Sequence, residues 1–185
     1  MLILASKSPR RRDLLGLYTE NFKIITRPCD EPPYEGGDVA KYVMSLAEKK
    51  ARCVADEFPS DTVLGADTVV AFDGEVLGKP RDEAHAKEML SSMSGARQEV
   101  FTGVCIIKDG KPHTFFEKTD VYFKDLSEKE IDDYIATGDS LDKAGGYGIQ
   151  GGAGEFVTRV DGDYFNVIGL PMRATAGYLD EISEW

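Results

Sequence analysis

The segment LILASKSPRRRDLL, residues 2–15, joins a short apolar strand to the start of a helix. Residues 2–5 are apolar throughout, which is typical of a buried strand. Ser8 suits the N-cap and Pro9 the first helical position, so a helix is predicted to begin here. Its predicted apolar face consists of Leu14, Leu15 and Leu17. Because strand ends in α/β sheets face ligand crevices, the polar residues between this strand and helix are candidates for a binding site.

Helices and strands alternate along the rest of the chain. The dipeptides Asp73-Gly74 and Asp109-Gly110 predict two tight β-hairpins, and Ser127 with Glu130 predicts a capping box. The predicted strands span residues 22–26, 62–72, 100–107 and 114–123, with a further hairpin of residues 156–160 and 164–168. The predicted helices span residues 39–57, residues 80–93, the stretch after Ser127 and the stretch from Pro171. This alternation predicts the α/β class, as one domain over residues 1–185.

The composition argues against several classes of function. The net charge is −11 and the pI is about 4.7, whereas binding to nucleic-acid phosphates needs a basic surface. No stretch approaches the roughly 20 apolar residues that span a membrane, and no signal peptide is evident. We therefore expect no nucleic-acid partner and no membrane partner, and contact with phosphates only through a few local cations.

The three cysteines, Cys29, Cys53 and Cys105, are scattered along the chain and lack CxxC spacing. This pattern disfavours both a disulfide framework and a zinc site. It is typical of a protein from a reducing compartment, so a cytoplasmic location is expected.

Three arginines, Arg10, Arg11 and Arg12, occupy the first turn of the helix that begins after Ser8. Cations are unfavourable at a helix N-terminus, which carries partial positive charge and unsatisfied N–H groups. They are explained if an anion binds there, because N–H groups, the helix dipole and guanidinium groups together form a phosphate site. A solvated basic turn is the structural alternative.

Two further charged residues lie where apolar residues are expected. Lys50 falls in the apolar stripe of the predicted helix 39–57, and Asp67 falls inside the apolar strand 62–72. Lys50 either extends along the apolar surface to solvent or reaches an anion in a cleft. Asp67 is either held by an ion pair or a strand-end hydrogen bond, or it is a metal ligand or a general base for a water.

Other candidates are less distinctive on their own. Glu31 lies in an acidic loop, where a solvated carboxylate is the alternative. Lys79 follows the returning strand of the first hairpin and is predicted to lie opposite Thr68. Gln150 lies in the glycine-rich segment KAGGYGIQGGAG, residues 143–154. Taken together, several cations for phosphate oxygens and two carboxylates for a cation and a water are what Mg²⁺-dependent triphosphate chemistry requires. Neither GxxxxGK[ST] nor a strand-linked GxGxxG is present, which disfavours P-loop ATPases and Rossmann dehydrogenases.

These residues resemble the motifs of the Maf family of nucleoside triphosphate pyrophosphatases nearly end to end. The matching segments are LASKSPRRRDLL (4–15), the Asp30-Glu31 loop, LAEKKA (46–51), GADTVV (65–70), LGKP (77–80), KAGGYGIQG (143–151) and GDYFNVIGLP (162–171). The resemblance implies a twisted mixed β-sheet flanked by helices, in two lobes around a deep substrate cleft. It also implies a hydrolase that acts on acid anhydrides, releases pyrophosphate and uses a divalent cation, Mg²⁺ or Mn²⁺. A homodimer is suggested as well.

The resemblance further implies a role for each candidate residue. The family's proton acceptor corresponds to Asp67 and its loop acid to Glu31, and both are expected to hold the metal. Its cationic substrate ligands, counted with the catalytic residues, correspond to Arg11, Lys50 and Lys79. The other substrate-binding residues that the motifs imply are Ser6, Ser8, Arg10, Thr68 and Gln150. The last three indicate the branch that acts on dTTP and UTP, as opposed to the branch that acts on 7-methyl-GTP.

Three functions therefore stand as hypotheses. The first is an enzyme that hydrolyses dTTP and UTP to the monophosphate and pyrophosphate, with removal of modified pyrimidine nucleotides as a further task. The second is a nucleotide-binding regulator, for example in septum formation, that has the cations but no significant turnover. The third is a nucleic-acid-binding module, which the net charge of −11 disfavours.

Overall fold

The structure, a computed structural model, describes residues 1–183 of the chain. Its strands are β1 (Leu2–Leu4), β2 (Phe22–Ile24), β3 (Thr62–Phe72), β4 (Glu75–Leu77), β5 (Arg97–Lys108), β6 (Lys111–Phe123) and β7 (Val157–Asp161). Its helices are α1 (Pro9–Gly16), α2 (Val39–Ala55), α3 (Glu83–Met93), α4 (Glu128–Ala136), α5 (Tyr164–Ile168) and α6 (Met172–Ile182). The strands form a seven-stranded sheet in the order β2-β1-β3-β5-β6-β7, with β4 paired to β3. The predicted α/β class and mixed sheet flanked by helices are confirmed.

The chain divides into two compact units. Unit 1 contains residues 1–67, 102–117 and 165 onward, and unit 2 contains residues 68–101 and 118–164. Strands β3, β5 and β6 each pass from one unit into the other along the chain. Most of the candidate residues therefore belong to unit 1, and Thr68, Lys79 and Gln150 belong to unit 2.

Parallel strands organise the sheet of unit 1. Strand β1 pairs in parallel with β2 and with β3, so that Leu2 faces both Phe22 and Thr62. The chain leaves β1 at Leu4, while β3 continues to Asp67 and beyond. As predicted from the first segment, the polar residues after β1 therefore lie at the carboxyl end of parallel strands, the usual place for a ligand in such sheets.

Two glycines allow helix α2 to lie very close to the sheet of unit 1. A Cβ on Gly65 would lie 2.5 Å from the Ala47 carbonyl oxygen and 2.8 Å from the Ala51 nitrogen. A Cβ on Gly103 would lie 2.5 Å from the Val43 carbonyl oxygen. Only glycine permits such an approach of backbone to backbone. Lys50 lies between Ala47 and Ala51 on α2, so the same approach brings it against the strand that carries Asp67.

Unit 2 is built around α3, α4 and the glycine-rich segment. Lys87 of α3 contacts Glu128 at 2.9 Å and Asp132 at 2.8 Å, which joins the two helices at the surface. A Cβ on Gly145 would lie 3.1 Å from the Val70 side chain, so the glycine-rich segment packs tightly on β3. This packing fixes the start of the segment that carries Gln150.

The predicted turns and caps agree closely with the structure. Strand β3 has the predicted bounds, and both hairpins turn where expected, with φ of 51° at Asp73 and 50° at Asp109. The glycine after each of these residues also has positive φ, 79° at Gly74 and 72° at Gly110. Ser127 and Glu130 form the complete capping box.

Three predictions of local structure were wrong. Residues 164–168 form helix α5 and not a strand, because Thr119 binds both the nitrogen and the carbonyl oxygen of Asp163 and the chain leaves the sheet there. Helix α3 begins at Glu83 and not at residue 80, because the Asp82 side chain caps it through the His85 nitrogen. Leu17 is 72% exposed, since α1 ends at Gly16 and leaves that side chain beyond its buried face. Within residues 1–183, no helix has the length and apolar character needed to cross a membrane.

Candidate active site

The start of helix α1 combines a serine cap with a basic first turn. The Ser8 hydroxyl accepts a hydrogen bond from the Arg11 nitrogen at 3.5 Å, and no acidic residue lies in the first turn. The buried Ser6 hydroxyl accepts a second hydrogen bond, from the Ser8 nitrogen at 3.2 Å. The two predicted serines therefore shape the turn that presents the helix start.

The Arg11 side chain folds back against the protein. Its Nε donates to the Gly169 carbonyl oxygen at 2.8 Å, and its Nη1 donates to the Ser6 hydroxyl at 3.3 Å. Burial lowers the pKa of Arg11 and the charge of Arg10 also lowers it, whereas the charges of Asp67 and Glu31 raise it. A guanidinium that is desolvated and fixed in this way is well suited to bind an anionic oxygen. Sequence reasoning did not identify Gly169, although it lies in the GDYFNVIGLP motif.

Lys50 joins the two predicted carboxylates. Its Nζ lies 3.2 Å from Glu31 Oε2 and donates a short hydrogen bond to Asp67 Oδ1. The Lys50 side chain is 19% exposed and the Asp67 side chain 13%, whereas Glu31 is 53% exposed. The ion pair that was the structural alternative for Asp67 is thus present, but its partner is itself a candidate site residue. The Lys50 ammonium group therefore forms ion pairs with a loop carboxylate, Glu31, and a strand carboxylate, Asp67.

Tyr42 is a further residue of this cluster that sequence reasoning did not identify. Its hydroxyl donates to the Pro32 carbonyl oxygen at 3.0 Å, one residue beyond Glu31. Burial raises the pKa of Tyr42, and the charges of Asp67 and Glu31 raise it further. Its spacing is a signal in the sequence, because residues eight positions apart lie on one helix face and Tyr42 precedes Lys50 by that interval.

In unit 2 the structure brings Lys79 next to the glycine-rich segment. Strand β4 pairs with β3 in the register Val70 to Leu77, which is the predicted register, but the pairing ends at Leu77. The expected position of Lys79 opposite Thr68 therefore lies beyond the paired strand. The Gly78 carbonyl oxygen accepts a hydrogen bond from the Gly145 nitrogen at 3.1 Å, and both Lys79 and Gln150 are exposed.

The arrangement of carboxylates bears on the predicted metal. In the part of the chain that the structure describes, no group of three or more His, Cys, Asp or Glu side chains could hold a metal ion by itself. Glu31 and Asp67 supply two oxygen donors that converge on the Lys50 ammonium. Mg²⁺ in nucleotide sites commonly uses one or two carboxylates, with phosphate oxygens and waters completing its coordination. The two carboxylates fit such a partial set.

Comparisons with known proteins extend over nearly the whole chain. The family profile described as Maf-like protein matches residues 1–182. A dTTP/UTP pyrophosphatase of a Geobacillus species is 51% identical over 174 residues, which are 94% of this chain and 94% of that protein. A dTTP/UTP pyrophosphatase of Bacillus cytotoxicus is 49% identical over 170 residues, which are 92% of this chain and 89% of that protein.

A solved structure shares the fold at low sequence identity. The Ham1 protein of Staphylococcus aureus superposes on this chain with a TM-score of 0.56. The superposition covers 98% of this chain and 99% of the Ham1 chain at 11% identity, so the likeness concerns the fold alone.

Proposed function

The chain belongs to the Maf family, and from that premise we propose that it hydrolyses dTTP and UTP to the nucleoside monophosphate and pyrophosphate. It is a nucleoside triphosphate diphosphatase, a hydrolase acting on acid anhydrides, and its substrate is a small nucleotide. The observation that carries the proposal is the cluster in which Lys50 joins Glu31 and Asp67, within the electrostatic reach of Arg11. Hydrolysis of a phosphoanhydride needs these charges, because catalysis there consists mainly of positioning and charge stabilisation.

Arg11 and Lys50 are proposed to bind phosphate oxygens. The start of α1 offers backbone N–H groups and the positive end of the helix dipole, and Arg11 adds a desolvated guanidinium. When an anionic phosphate enters, the Lys50 ammonium gains a partner whose charge competes with that of Glu31. Ser6 and Ser8 act by shaping this turn and by offering hydroxyl groups, and Lys79 is the third proposed cation.

Asp67 is proposed as the general base. Its carboxylate is mostly buried and is fixed by Lys50, and in this position it would accept a proton from the attacking water. The water attacks the α-phosphorus and pyrophosphate leaves. Glu31 and Asp67 would hold Mg²⁺ or Mn²⁺ together with substrate phosphates, and the cation would supply charge neutralisation. Arg10, Thr68 and Gln150 are proposed to recognise the pyrimidine, since the Gln150 amide can both donate and accept.

The test compares Asp67→Asn with Asp61→Asn, using separate panels of dTTP, UTP, CTP, GTP and 7-methyl-GTP. Asp61 is a matched control because its carboxylate also forms an ion pair in unit 1, with the amino group of Met1 at 2.8 Å. Asp67→Asn is expected to fold and to lose about 10³-fold in kcat, as for removal of a general base, whereas Asp61→Asn retains turnover. Wild-type kcat in Asp67→Asn would refute the role of Asp67. Tight nucleotide binding by the wild type without turnover would instead support the regulator.

The remaining expectations are also proposals. Treatment with a chelator should abolish turnover, and Mg²⁺ or Mn²⁺ should restore it; activity that persists in excess chelator would exclude the cation. We also propose a single catalytic domain over residues 1–185, whose last two residues lie outside the described part. A homodimer and a cytoplasmic location are proposed as well. Sedimentation analysis measures the oligomeric state directly.

A further inference from the structure

The proposed base-recognising residue Gln150 lies at the tip of a closed turn. The Gly151 nitrogen donates to the Gly148 carbonyl oxygen at 3.1 Å, so residues 148–151 form a β-turn with Gln150 at its third position. The Gln150 side chain itself is exposed. The backbone from which it projects is therefore positioned by the contacts that hold the two ends of this turn.

Tyr134 of α4 fixes the first end. Its hydroxyl accepts a hydrogen bond from the Gly148 nitrogen at 3.1 Å and donates one to Asp139 Oδ2 at 3.0 Å. The ring is buried and packs edge-on against Phe156, with 5.4 Å between ring centroids. Burial raises the pKa of Tyr134; the hydrogen bond from Gly148 lowers it and the one to Asp139 raises it, with a net upward shift. The hydroxyl therefore stays protonated and donates to Asp139 at neutral pH.

Asp139 is held in turn by Lys143. The Lys143 ammonium donates to the Asp139 carbonyl oxygen at 2.8 Å, to Asp139 Oδ1 at 2.6 Å and to Asp142 Oδ1 at 2.8 Å. Its side chain is only 12% exposed. Each oxygen of the Asp139 carboxylate thus has its own partner, Lys143 on one side and Tyr134 on the other. We call these three residues, Tyr134, Asp139 and Lys143, the turn clamp.

The glycines of the turn lie directly against the turn clamp. A Cβ on Gly148 would lie 2.5 Å from Lys143 Cε, and a Cβ on Gly151 would lie 2.7 Å from Asp139 Oδ2. A Cβ on Gly152 would lie 3.4 Å from the Tyr134 ring. The backbone on both sides of Gln150 therefore packs against these three side chains.

We propose that Tyr134, Asp139 and Lys143 are positioning residues that orient Gln150 and thereby set the preference for pyrimidine bases. The inference rests on the proposed function, because it deepens the role given there to Gln150. If the turn that carries Gln150 had to become ordered when the nucleotide binds, the entropy of ordering would weaken nucleotide affinity. A turn that is already fixed avoids this loss. The clamp acts on recognition of the base and leaves the phosphate chemistry of Asp67 unchanged.

Tyr134→Phe tests the proposal, because it removes one hydroxyl and keeps the buried ring. We expect KM for dTTP and UTP to rise by about 10-fold and the preference over CTP to fall by a similar factor, as for loss of one positioned polar contact. kcat should stay within about twofold of wild type, since transition-state stabilisation at the phosphates is untouched. Lys129→Ala is the matched control, because Lys129 lies on the same helix in an exposed ion pair with Asp133 and should change none of these constants.

A double-mutant cycle with Gln150→Ala separates positioning from general destabilisation. If Tyr134 acts through Gln150, Tyr134→Phe has no further effect on base preference in the Gln150→Ala background. Additive effects, or a fall in kcat with base preference unchanged, would overturn the proposal. Should Tyr134→Phe fail to fold, Asp139→Asn and Asp139→Ala replace it. The amide oxygen of the Asn variant still accepts a hydrogen bond from Tyr134, so this variant should retain more of the base preference than Asp139→Ala. Equal loss of base preference in the two variants overturns the proposal. A wild type that does not hydrolyse pyrimidine nucleotides would instead overturn the proposed function.

Discussion

Helices α1 and α4 begin with the same cap and continue with opposite charges. Ser8 and Ser127 each accept a hydrogen bond from the backbone nitrogen of the residue three positions later. At α4 that residue is Glu130, whose carboxylate accepts a hydrogen bond from the Ser127 nitrogen at 2.9 Å. At α1 it is Arg11, whose side chain turns away to Gly169 and Ser6.

The difference shows what each helix start requires. At the start of α4, Glu130 completes the capping box, and its carboxylate also forms an ion pair with Lys124 at 2.7 Å. The start of α1 places a cation where the helix dipole disfavours one. A fold selected for stability alone would carry an acid at that position, so the arginine supports the proposal that the missing anion is a bound phosphate.

Exchanging the charges of Arg11 and Glu130 is expected to have the largest effect on activity. Arg11→Glu gives α1 the capping-box pattern of α4 but puts a carboxylate where phosphate is proposed to bind. We expect kcat/KM for dTTP to fall by at least about 10³-fold, because an attractive charge becomes a repulsive one. The reverse exchange, Glu130→Arg, should lower the melting temperature and retain turnover. Steady-state kinetics and thermal unfolding of both variants measure these effects. Retained turnover in Arg11→Glu would show that Arg11 does not bind the phosphates.

Removing each serine cap is expected to have a moderate effect on stability and, at α1, on activity. Ser8→Ala and Ser127→Ala should each cost about 1 kcal/mol in the free energy of unfolding, which lowers the melting temperature by about 2–4 °C in a chain of this size. Only Ser8→Ala should also reduce kcat/KM, by about 10-fold, because it loosens the turn that presents Arg11. Equal kinetics in the two variants would show that the α1 cap serves stability alone.

The smallest expected effect is the acid response of the α4 start. Hydrogen bonds from Lys124 and Ser127 lower the pKa of Glu130 to about 2. Its contribution to stability is therefore full above the ordinary glutamate pKa and is lost as the pH falls from about 5 towards 2. The difference in melting temperature between wild type and Glu130→Gln should shrink over that window. A difference that stays constant with pH would contradict the pKa assignment.

Capping, turn and strand patterns in the sequence predicted the elements that depend on residues close to one another in the chain. The α1 start, the bounds of β3, both Asp-Gly turns and the capping box each follow from side chains within a few positions. Lys50 and Asp67 were identified for a related reason, since each interrupts an apolar pattern. Their contact with one another was not predicted, because it depends on the close approach of α2 that Gly65 permits.

One error and one missed contact depend on distant parts of the chain. Arg11 binds the Gly169 carbonyl oxygen across 158 residues, and no spacing in the sequence indicates that contact. Helix α5 was mistaken for a strand because the hydrogen bonds that end β7 come from Thr119, which lies 44 residues before Asp163. The roles of the candidate residues stay predictions until the variants are measured.

The two Asp-Gly hairpin tips are suitable positions for labels that measure the distance between the two units. Asp73-Gly74 belongs to unit 2 and Asp109-Gly110 to unit 1, and apart from each glycine's chain neighbours no heavy atom of residues 1–183 lies within 4 Å of a Cβ built on it. Such exposed tips tolerate short insertions, so each can carry a peptide tag for a fluorescent dye. Energy transfer between the two dyes would report the separation of the units, with and without nucleotide, while every candidate residue stays unchanged.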